Sequence, residues 1–217
     1  MTEPTLKLIE LYRSLQGEST LAGEPCVFIR TAGCNLRCVW CDSEYTFTGG
    51  EPWTLEAILA EVERLGPGHV ELTGGEPLLQ PAVIPLMERL LEAGREVLLE
   101  TSGSLSLEGV PAAVRKIVDL KAPGSGEEAR NRWENLERLG PRDELKLVLA
   151  DREDYLWARE QLARRDLASR CGRVLFSPVE GRLEPARLAA WILEDRLAVR
   201  LNLQLHRILW PESSRGV

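Results

Sequence analysis

The chain contains 217 residues, of which 44% are hydrophobic and 28% are charged, a composition typical of a globular protein with a full core. Its 34 acidic and 27 basic residues give a net charge of -7 without a Lys/Arg block, which argues against a direct nucleic-acid partner. No apolar run reaches the length of a membrane span and the first residues lack a leader pattern, so we expect one cytoplasmic domain over residues 1–217.

The N-terminal extension, residues 1–24, differs in pattern from the rest of the chain. It contains a strand-like run followed by a Gly-rich polar loop, SLQGEST, within the segment LKLIELYRSLQGESTLAGEP. No helical pattern follows the loop. We therefore expect a strand and loop extension that folds over the rim of the main domain, which would occupy residues 25–217.

From residue 25 onward, short apolar runs alternate with longer amphipathic segments, which predicts alternating strands and helices. The predicted strands are VFIRT, HVELTGG, REVLLETSG, KIVDLKAPG, ELKLVLAD, GRVLFSP and a final AVRLNLQLHRIL. The predicted helices are WTLEAILAEVERLG, PAVIPLMERLLEAG, the shorter LEGVPAAVR, GEEARNRWENLERLG, REDYLWAREQLARRD and LEPARLAAWILEDR. Expected helix starts are Thr54 and Glu184, and expected helix ends are Gly66, Gly94 and Gly140.

About six βα units predict parallel strands with right-handed crossovers, and so an α/β fold. This pattern fits either an open doubly wound sheet or a barrel with fewer than eight strands. Both architectures place their ligands at the carboxyl ends of the strands. Polar residues follow most of the predicted strands, and we expect these to converge on one rim: Arg30, residues 73–77, residues 100–103, Asp119, Lys121, Lys146, Ser177 and residues 204–206.

Three of the five cysteines lie within eight residues, in the spacing Cys34-x3-Cys38-x2-Cys41. The other two, Cys26 and Cys171, are isolated in apolar surroundings, so a disulfide framework is not expected. A structural zinc site needs four ligands, and only His69, His206, Cys26 or Cys171 could supply a distant fourth. A 4Fe-4S cluster held by three thiolates instead leaves one iron open for another ligand.

The segment TGGEP follows the next predicted strand. Gly74 and Gly75 allow the backbone to approach a ligand closely, and the carboxylate of Glu76 could receive a ligand ammonium group. Taken alone, the segment could equally be an ordinary turn between a strand and a helix.

The cysteine spacing, with Trp40 before the last cysteine, and TGGEP one βα unit later resemble the signature of the radical S-adenosylmethionine (SAM) enzymes. This resemblance implies a partial (β/α)6 barrel, with a 4Fe-4S cluster on Cys34, Cys38 and Cys41 and SAM bound at its open iron. It also implies an external electron donor such as flavodoxin or ferredoxin. Trp40 is then expected to shield the cluster from solvent.

Within that superfamily, the order and spacing of seven segments resemble the 7-carboxy-7-deazaguanine synthase family over nearly the whole chain. The segments are YRSLQGES, FIRTAGCNLRCVWCDS, TGGEPLLQ, LLETSG, VDLKAPGSG, ELKLV and LQLHR. The resemblance implies conversion of 6-carboxy-5,6,7,8-tetrahydropterin to 7-carboxy-7-deazaguanine with loss of ammonia, in the 7-deazapurine pathway that leads to queuosine in tRNA. It further implies a magnesium requirement and a homodimer.

The same resemblance assigns roles to individual residues. The expected substrate contacts are Leu15, Gln16, Gly17, Arg30, Thr73, Glu100 and His206. The expected SAM contacts are Gly75, Glu76, Ser102, Asp119, Leu120, Lys121 and Lys146. Ser43 is the expected magnesium ligand, although the family pattern has threonine there. Asp119-Leu120 also departs from the Ser-Pro of many members.

Two other functions remain open at this stage. A glycyl-radical-activating radical SAM enzyme would act on a protein partner, but it would not need the SLQGES and LQLHR segments. A non-enzymatic zinc-binding module would need a fourth ligand for the cysteines. Four residues also have ordinary structural alternatives. Arg30 could lie on the surface at a strand end, Lys146 could face solvent, His206 could pack in the core and Ser43 could cap a turn.

Overall fold

A nine-stranded sheet forms the centre of the protein. The computed structural model describes residues 3–213, 215 and 216. The strands are β1 (Thr5–Leu15), β2 (Pro25–Thr31), β3 (Glu51–Thr54), β4 (His69–Gly74), β5 (Val97–Thr101), β6 (Arg115–Lys121), β7 (Glu144–Leu149), β8 (Arg173–Pro178) and β9 (Arg200–Leu201). Their order in the sheet is β3-β1-β2-β4-β5-β6-β7-β8-β9, so β3 and β9 are edges and the barrel is not closed. Strands β2, β4, β5, β6, β7, β8 and β9 are parallel to one another in this order. Strand β1 is antiparallel to both of its neighbours, β2 and β3.

The helices are α1 (Leu55–Leu65), α2 (Val83–Glu92), α3 (Arg152–Arg164), α4 (Leu167–Arg170), α5 (Pro185–Glu194) and α6 (Leu205–Leu209). Helices α1 to α5 contribute to the hydrophobic core on one face of this sheet, whereas α6 borders the cavity on the other face. Strand β7 shows the division, because Leu145, Leu147 and Leu149 are buried in the hydrophobic core, whereas Lys146 and Val148 line a cavity on the other face. The partial barrel expected from the sequence is confirmed, with its polar side chains inside.

The predicted helix starts and ends are confirmed for those predicted helices that form an α-helix. The hydroxyl of Thr54 accepts a hydrogen bond from Ala57 N (3.2 Å) at the start of α1. Gly66 ends α1 with a φ of 95°, a conformation that favours glycine. No membrane-spanning helix is found among the described residues, since none is both long enough and apolar enough.

Two predicted helices are wrong. Residues 107–114 form turns because Gly109 has a φ of 85° and Pro111 has no amide hydrogen to donate. Residues 127–139 form two 3-10 segments, Glu128–Arg130 and Trp133–Arg138, and Gly140 therefore ends no α-helix. The buried side chain of Asn135 donates to the carbonyls of Gly103 (3.0 Å) and Leu105 (2.8 Å), and such bonds compete with a regular helix.

The final predicted strand is also much shorter than expected. Only Arg200–Leu201 pairs with β8, and the helix α6 follows. Asn202 donates to Ser177 Oγ (2.9 Å) and Leu205 N donates to Gly17 O (2.8 Å). These two bonds turn the chain away from the sheet edge toward the N-terminal loop.

The loop after β1, residues 16–24, lies at the opposite end of the barrel from the one expected. Because β1 is antiparallel to β2, its carboxyl end meets the amino ends of the parallel strands. Glu24 contacts His69, the first residue of β4 (2.7 Å), and Thr20 Oγ1 donates to Glu144, the first residue of β7 (2.5 Å). The loop therefore covers the amino ends of the strands, not the carboxyl rim.

Candidate active site

A cavity of about 580 Å³ runs along the inner face of the sheet. It reaches from the loop after β1 to the carboxyl ends of the parallel strands. Every residue to which the sequence assigns a ligand contact lines this cavity, except Glu76 and Leu120. The cavity therefore brings together segments from both ends of the chain, and its size is that of a small-molecule pocket.

The cysteine loop follows β2 and packs against the TGGEP turn that follows β4. Gly33 N donates to Thr46 O (2.7 Å), and Glu76 N donates to Gly33 O (2.8 Å). A Cβ at Gly75 would overlap the carbonyl oxygen of Gly33. Glycine is thus required at position 75 for the close approach of two protein loops, in addition to any ligand.

The thiols of Cys34, Cys38 and Cys41 are free and line the cavity together. Among the described residues, no group of three or more His, Cys, Asp and Glu side chains is close enough to hold a single metal ion. Burial raises the pKa of Cys41 to about 11, so its thiol keeps its proton until a metal takes the place of that proton. Three thiols that line one cavity match the donor set of a 4Fe-4S cluster with one open iron.

Lys146 occupies the centre of a buried charge network. Its Nζ lies 2.9 Å from Glu18 Oε2 and 3.9 Å from Asp119 Oδ2, and it also forms an ion pair with Glu100. Burial opposes the charged form, but the carboxylates of Glu100, Glu18 and Asp119 outweigh it and hold the pKa of Lys146 well above its ordinary value. The alternative that Lys146 faces solvent is therefore wrong.

Asp119 explains one departure from the family pattern. Its Oδ2 lies 3.1 Å from Lys121 Nζ, so the acid compensates a second lysine, which is half-buried. The other oxygen, Oδ1, is buried and has no hydrogen-bond partner among the described residues. A buried acceptor without a partner fits a donor group on a ligand in the cavity.

Arg30, at the carboxyl end of β2, has donors that the described residues leave unused. Its Nη2 donates to Tyr12 Oη (3.1 Å), and the ring of Tyr12 stacks on Phe28 with centroids 5.2 Å apart. Its buried Nε has no partner in the described part of the chain. This guanidinium can therefore bind an anion or an acceptor edge in the cavity.

The comparisons with known proteins agree with this geometry. Residues 28–124 match the model of the radical SAM superfamily. A 7-carboxy-7-deazaguanine synthase from Koribacter versatilis is 49% identical over 98% of this chain and 100% of its own length. A 7-carboxy-7-deazaguanine synthase from Chlorobaculum tepidum is 42% identical over 100% of this chain and 99% of its own. The chain belongs to the 7-carboxy-7-deazaguanine synthase family. As a radical SAM enzyme, it is expected to hold a 4Fe-4S cluster and SAM.

Solved structures confirm the fold of this synthase family member. The crystal structure of QueE from Escherichia coli superposes with a TM-score of 0.76 at 24% identity, covering 92% of this chain and 94% of that one. SuiB from Streptococcus suis bound to S-adenosylmethionine gives a TM-score of 0.55 at 14% identity, covering 83% of this chain and 47% of that one. Two synthases match this chain over nearly their full length. This match favours the synthase function over the glycyl-radical-activating and zinc-module alternatives.

Glu76 does not lie where the sequence predicted it, which was in contact with SAM. Its carboxylate is fully buried and accepts hydrogen bonds from Thr101 Oγ1 (2.8 Å), from Ser102 N (2.8 Å) and Oγ (2.5 Å), and from Leu78 N (3.0 Å). It does not line the cavity. We therefore propose that Glu76 positions Ser102 and the TGGEP turn instead of receiving a ligand ammonium group.

Leu120 is the other exception. Its side chain is 2% exposed and belongs to the core between the sheet and the helices. Because side chains alternate along β6, Asp119 and Lys121 face the cavity and Leu120 faces the helices. Only the backbone of Leu120 could then contact a ligand of the synthase.

Ser43 does not act as a side-chain cap for the turn Glu44–Thr46. Its hydroxyl donates instead to Asp42 Oδ1 (2.7 Å), and both residues line the cavity beside Cys41. Gln204 Nε2 also donates to Asp42, over 3.2 Å to Oδ2. A hydroxyl and a carboxylate at neighbouring positions form an oxygen donor set of the kind that magnesium prefers.

His206 lines the cavity and does not pack in the core. Its ring lies against the backbone of Gly17, and burial lowers the pKa of the imidazole. The neutral ring therefore offers one donor and one acceptor nitrogen. The synthase family motif LQLHR thus meets the motif SLQGES at this point.

Sequence reasoning missed several polar residues of the synthase cavity, notably Glu18 and Glu71. Glu71 is 2% exposed and accepts a hydrogen bond from Gln16 Nε2, while Gln16 Oε1 accepts one from Glu18 N (2.9 Å). Burial and then the charge of Glu100 raise the pKa of Glu71 well above its ordinary value, which favours the protonated form of this carboxyl. The available signal was a glutamate in the middle of the apolar run HVELTGG.

Proposed function

We propose that this enzyme converts 6-carboxy-5,6,7,8-tetrahydropterin to 7-carboxy-7-deazaguanine with loss of ammonia, in the deazapurine pathway toward queuosine. One observation carries the proposal. A single cavity contains the cysteine loop at one part of its wall and the residues Gln16, Arg30, Glu100 and His206 at another. Its volume of about 580 Å³ lies within the range of pockets that enclose small ligands.

The cofactor would occupy the part of the cavity near the cysteine loop. Cys34, Cys38 and Cys41 would hold the cluster, and Gly75, Ser102, Asp119, Lys121 and Lys146 would surround SAM. When bound, this pair supplies a reducing electron and a carbon radical that removes hydrogen from the substrate. The protein excludes water, and the orphaned Oδ1 of Asp119 offers an acceptor for a cofactor donor group.

The substrate would lie against Arg30, Glu100 and Gln16. The free donors of Arg30 suit a carboxylate or the acceptor edge of a pterin. Burial opposes ionisation of Glu100, but Lys146 outweighs it and lowers the pKa of this carboxyl, so Glu100 is charged and can accept hydrogen bonds. Thr73 Oγ1 donates to Glu100 over 3.2 Å, which leaves Glu100 partly available. The backbone of Leu15 and Gly17 and the neutral ring of His206 complete this wall.

Magnesium would bind beside Ser43. The family pattern has threonine at this position, and serine keeps the hydroxyl without the methyl group. Because magnesium usually takes one or two protein oxygens and fills the rest of its shell with water and substrate, Ser43 and Asp42 suffice on the protein side. The ion would then link the protein to the substrate carboxylate.

An external one-electron donor such as flavodoxin or ferredoxin would reduce the cluster. Val39, between two of the cysteines, is 58% exposed, so the cysteine loop reaches the protein surface where a donor can approach. We further propose a cytoplasmic homodimer in which residues 1–217 act as one unit. Size-exclusion chromatography with light scattering tests the dimer.

Anaerobic incubation of the purified protein with SAM, dithionite, magnesium and carboxytetrahydropterin tests the reaction. We expect a product with the mass and absorbance of 7-carboxy-7-deazaguanine, and none from Cys38→Ala. Absence of product from a protein that carries a full cluster and cleaves SAM would contradict the proposed substrate. Titration of magnesium into chelator-treated protein tests the metal site, with activation expected for wild type and Ser43→Thr and a strongly raised requirement for Ser43→Ala.

A further inference from the structure

Asp154, in the first turn of α3, carries a carboxylate that is only 1% exposed. Its Oδ1 accepts a hydrogen bond from Gly124 N (2.8 Å), and its Oδ2 accepts one from Ala150 N (3.0 Å). A buried carboxylate is stable only where donors satisfy it, so these bonds hold Gly124 firmly to the start of α3. None of these residues has a role in the chemistry proposed above.

Residues 122–127, here called the brace segment, lie between Asp154 and the cysteine loop. A Cβ at Gly124 would lie 2.7 Å from Asp154 Oδ2 and 3.1 Å from Trp40 Cη2, so Gly124 lies against both side chains. Ser125 N (3.0 Å) and Ser125 Oγ (2.6 Å) both donate to Ala122 O, which closes the segment into a tight turn. The brace segment is thus a compact unit attached to α3 through Asp154.

The brace segment contacts the cysteine loop on both sides of Cys38. Arg37 N donates to Glu127 Oε1 (2.6 Å), and Val39 N donates to Ser125 O (3.0 Å). Arg37 and Val39 are the immediate neighbours of Cys38 in the chain, so these two bonds fix the Leu36–Arg37 and Cys38–Val39 peptide units on either side of it. The loop around Cys38 has no helix or strand of its own to hold it.

We propose that Asp154 is a positioning residue for Cys38. It fixes the brace segment, the brace segment fixes Arg37 and Val39, and the central cysteine is thereby held in its binding geometry before a cluster is present. The inference rests on the proposed role of Cys38 as a cluster ligand.

The test compares Asp154→Asn with Asp151→Ala in the full chain. The side-chain amide that Asp154→Asn introduces offers one acceptor oxygen for two backbone donors, so one of the two bonds is lost. Asp151 caps the same helix by accepting hydrogen bonds from Glu153 N (2.9 Å) and Asp154 N (3.0 Å). Asp151→Ala removes these two bonds, which are local to the start of α3, and so weakens the helix itself. Glu127→Ala removes the acceptor of Arg37 N directly, at a half-buried position that tolerates truncation.

Two quantities are measured: hydrogen exchange at the amides of Arg37 and Val39 in cluster-free protein, and the rate of iron release to a chelator from anaerobically prepared protein. We expect Asp154→Asn to raise both by about tenfold, as loss of one bond to a charged acceptor predicts. Glu127→Ala should accelerate exchange mainly at Arg37. Asp151→Ala should lower the thermal midpoint and leave both rates at their wild-type values.

The proposal would be overturned if Asp154→Asn showed wild-type rates of exchange at Arg37 and Val39 together with a lowered thermal midpoint. Asp154 would then have a role in α3 alone. If Asp154→Asn does not fold, unchanged exchange and iron release in Glu127→Ala overturn it equally. The exchange measurement needs no cluster. A wild-type protein without iron would therefore count against the proposed cofactor and not against the brace segment.

Discussion

The imidazole of His206 packs directly on the backbone of Gly17, and its Nδ1 occupies the space that a side chain at position 17 would need. Leu205 N donates to Gly17 O (2.8 Å), so the start of α6 and the loop after β1 are joined at this point. Residue 17 is therefore glycine because of a contact with the far end of the chain, and its φ lies outside the left-handed region.

This contact predicts that Gly17→Ala displaces His206. Overpacking of this kind typically reduces the free energy of unfolding by about 1–3 kcal/mol. The thermal midpoint should fall and the KM for the pterin should rise, while iron content stays at the wild-type level. In a His206→Ala background the added methyl group meets no ring, so the further loss of stability should nearly vanish. An equal loss in both backgrounds would show that the two residues do not interact.

The five cysteines provide a second prediction. Cys34→Ala, Cys38→Ala and Cys41→Ala should each reduce the iron content of anaerobically purified protein to background, because two thiolates cannot replace three. Cys26→Ala and Cys171→Ala are the matched controls, since both thiols are buried away from the cavity and should leave iron content unchanged. Full iron in a variant of the first group, or none in Cys171→Ala, would refute the assignment.

The third prediction concerns Arg30→Lys. Lysine keeps the charge but loses the planar two-pronged donor set, so substrate binding should weaken by about ten- to a hundredfold, as loss of a charge-assisted bond predicts. Calorimetric titration with the pterin measures the change. SAM cleavage without substrate should be little affected. Unchanged pterin affinity together with failed SAM binding would mean that Arg30 belongs to the other ligand.

Glu71 gives a pH-dependent prediction. Its pKa is raised in the folded protein by burial and then by the charge of Glu100, whereas the same carboxyl in the unfolded chain ionises near 4.5. As pH rises above 4.5, the unfolded state loses this proton first, so Glu71 progressively lowers the free energy of unfolding until its own folded pKa is reached. Glu71→Gln keeps the neutral shape and removes this effect.

The expected result is that the thermal midpoint of Glu71→Gln, relative to wild type, increases as pH rises above about 5. The corresponding gap in the free energy of unfolding grows by at most about 1.4 kcal/mol per pH unit. Glu88→Gln, at an exposed position on α2, is the control and should show a constant difference. A constant difference for Glu71→Gln as well would mean that Glu71 is ionised in the folded protein.

The sequence was informative about the sheet and about most of the cavity wall. The polar residues that follow the apolar runs indicated most of the cavity wall, and the motif spacing located the cysteine loop and the TGGEP turn. It was less informative wherever a long-range hydrogen bond decides the local structure. The side chain of Asn135 holds residues 133–138 in a 3-10 conformation through carbonyls some thirty residues earlier, which no local helical pattern records.

Long-range hydrogen bonds also explain why the sequence did not reveal every residue of the cavity. Glu18 belongs to the cavity because Lys146 and Gln204 reach it, and neither partner is near it in sequence. Glu76 stands next to cavity residues in sequence, yet the hydroxyl and amide of Ser102 draw its carboxylate into the protein. Spacing predicts which loops meet, whereas the direction of each carboxylate depends on where its donors lie in three dimensions.

The distances along the chain between the partners of Glu18 imply an order of assembly on the ribosome. Glu18 forms hydrogen bonds with Lys146, Asn202 and Gln204, which lie 128, 184 and 186 residues away in sequence. Gly33, in contrast, bonds to Thr46 and Glu76, both fewer than fifty residues away. Loops that close over short separations form early during synthesis, and distant pairings wait for the last segments to emerge. A nascent chain can thus complete the contacts of Gly33 first, those of Arg37 and Val39 once residues 125–127 have emerged, and those of Glu18 only when the segment around Gln204 follows.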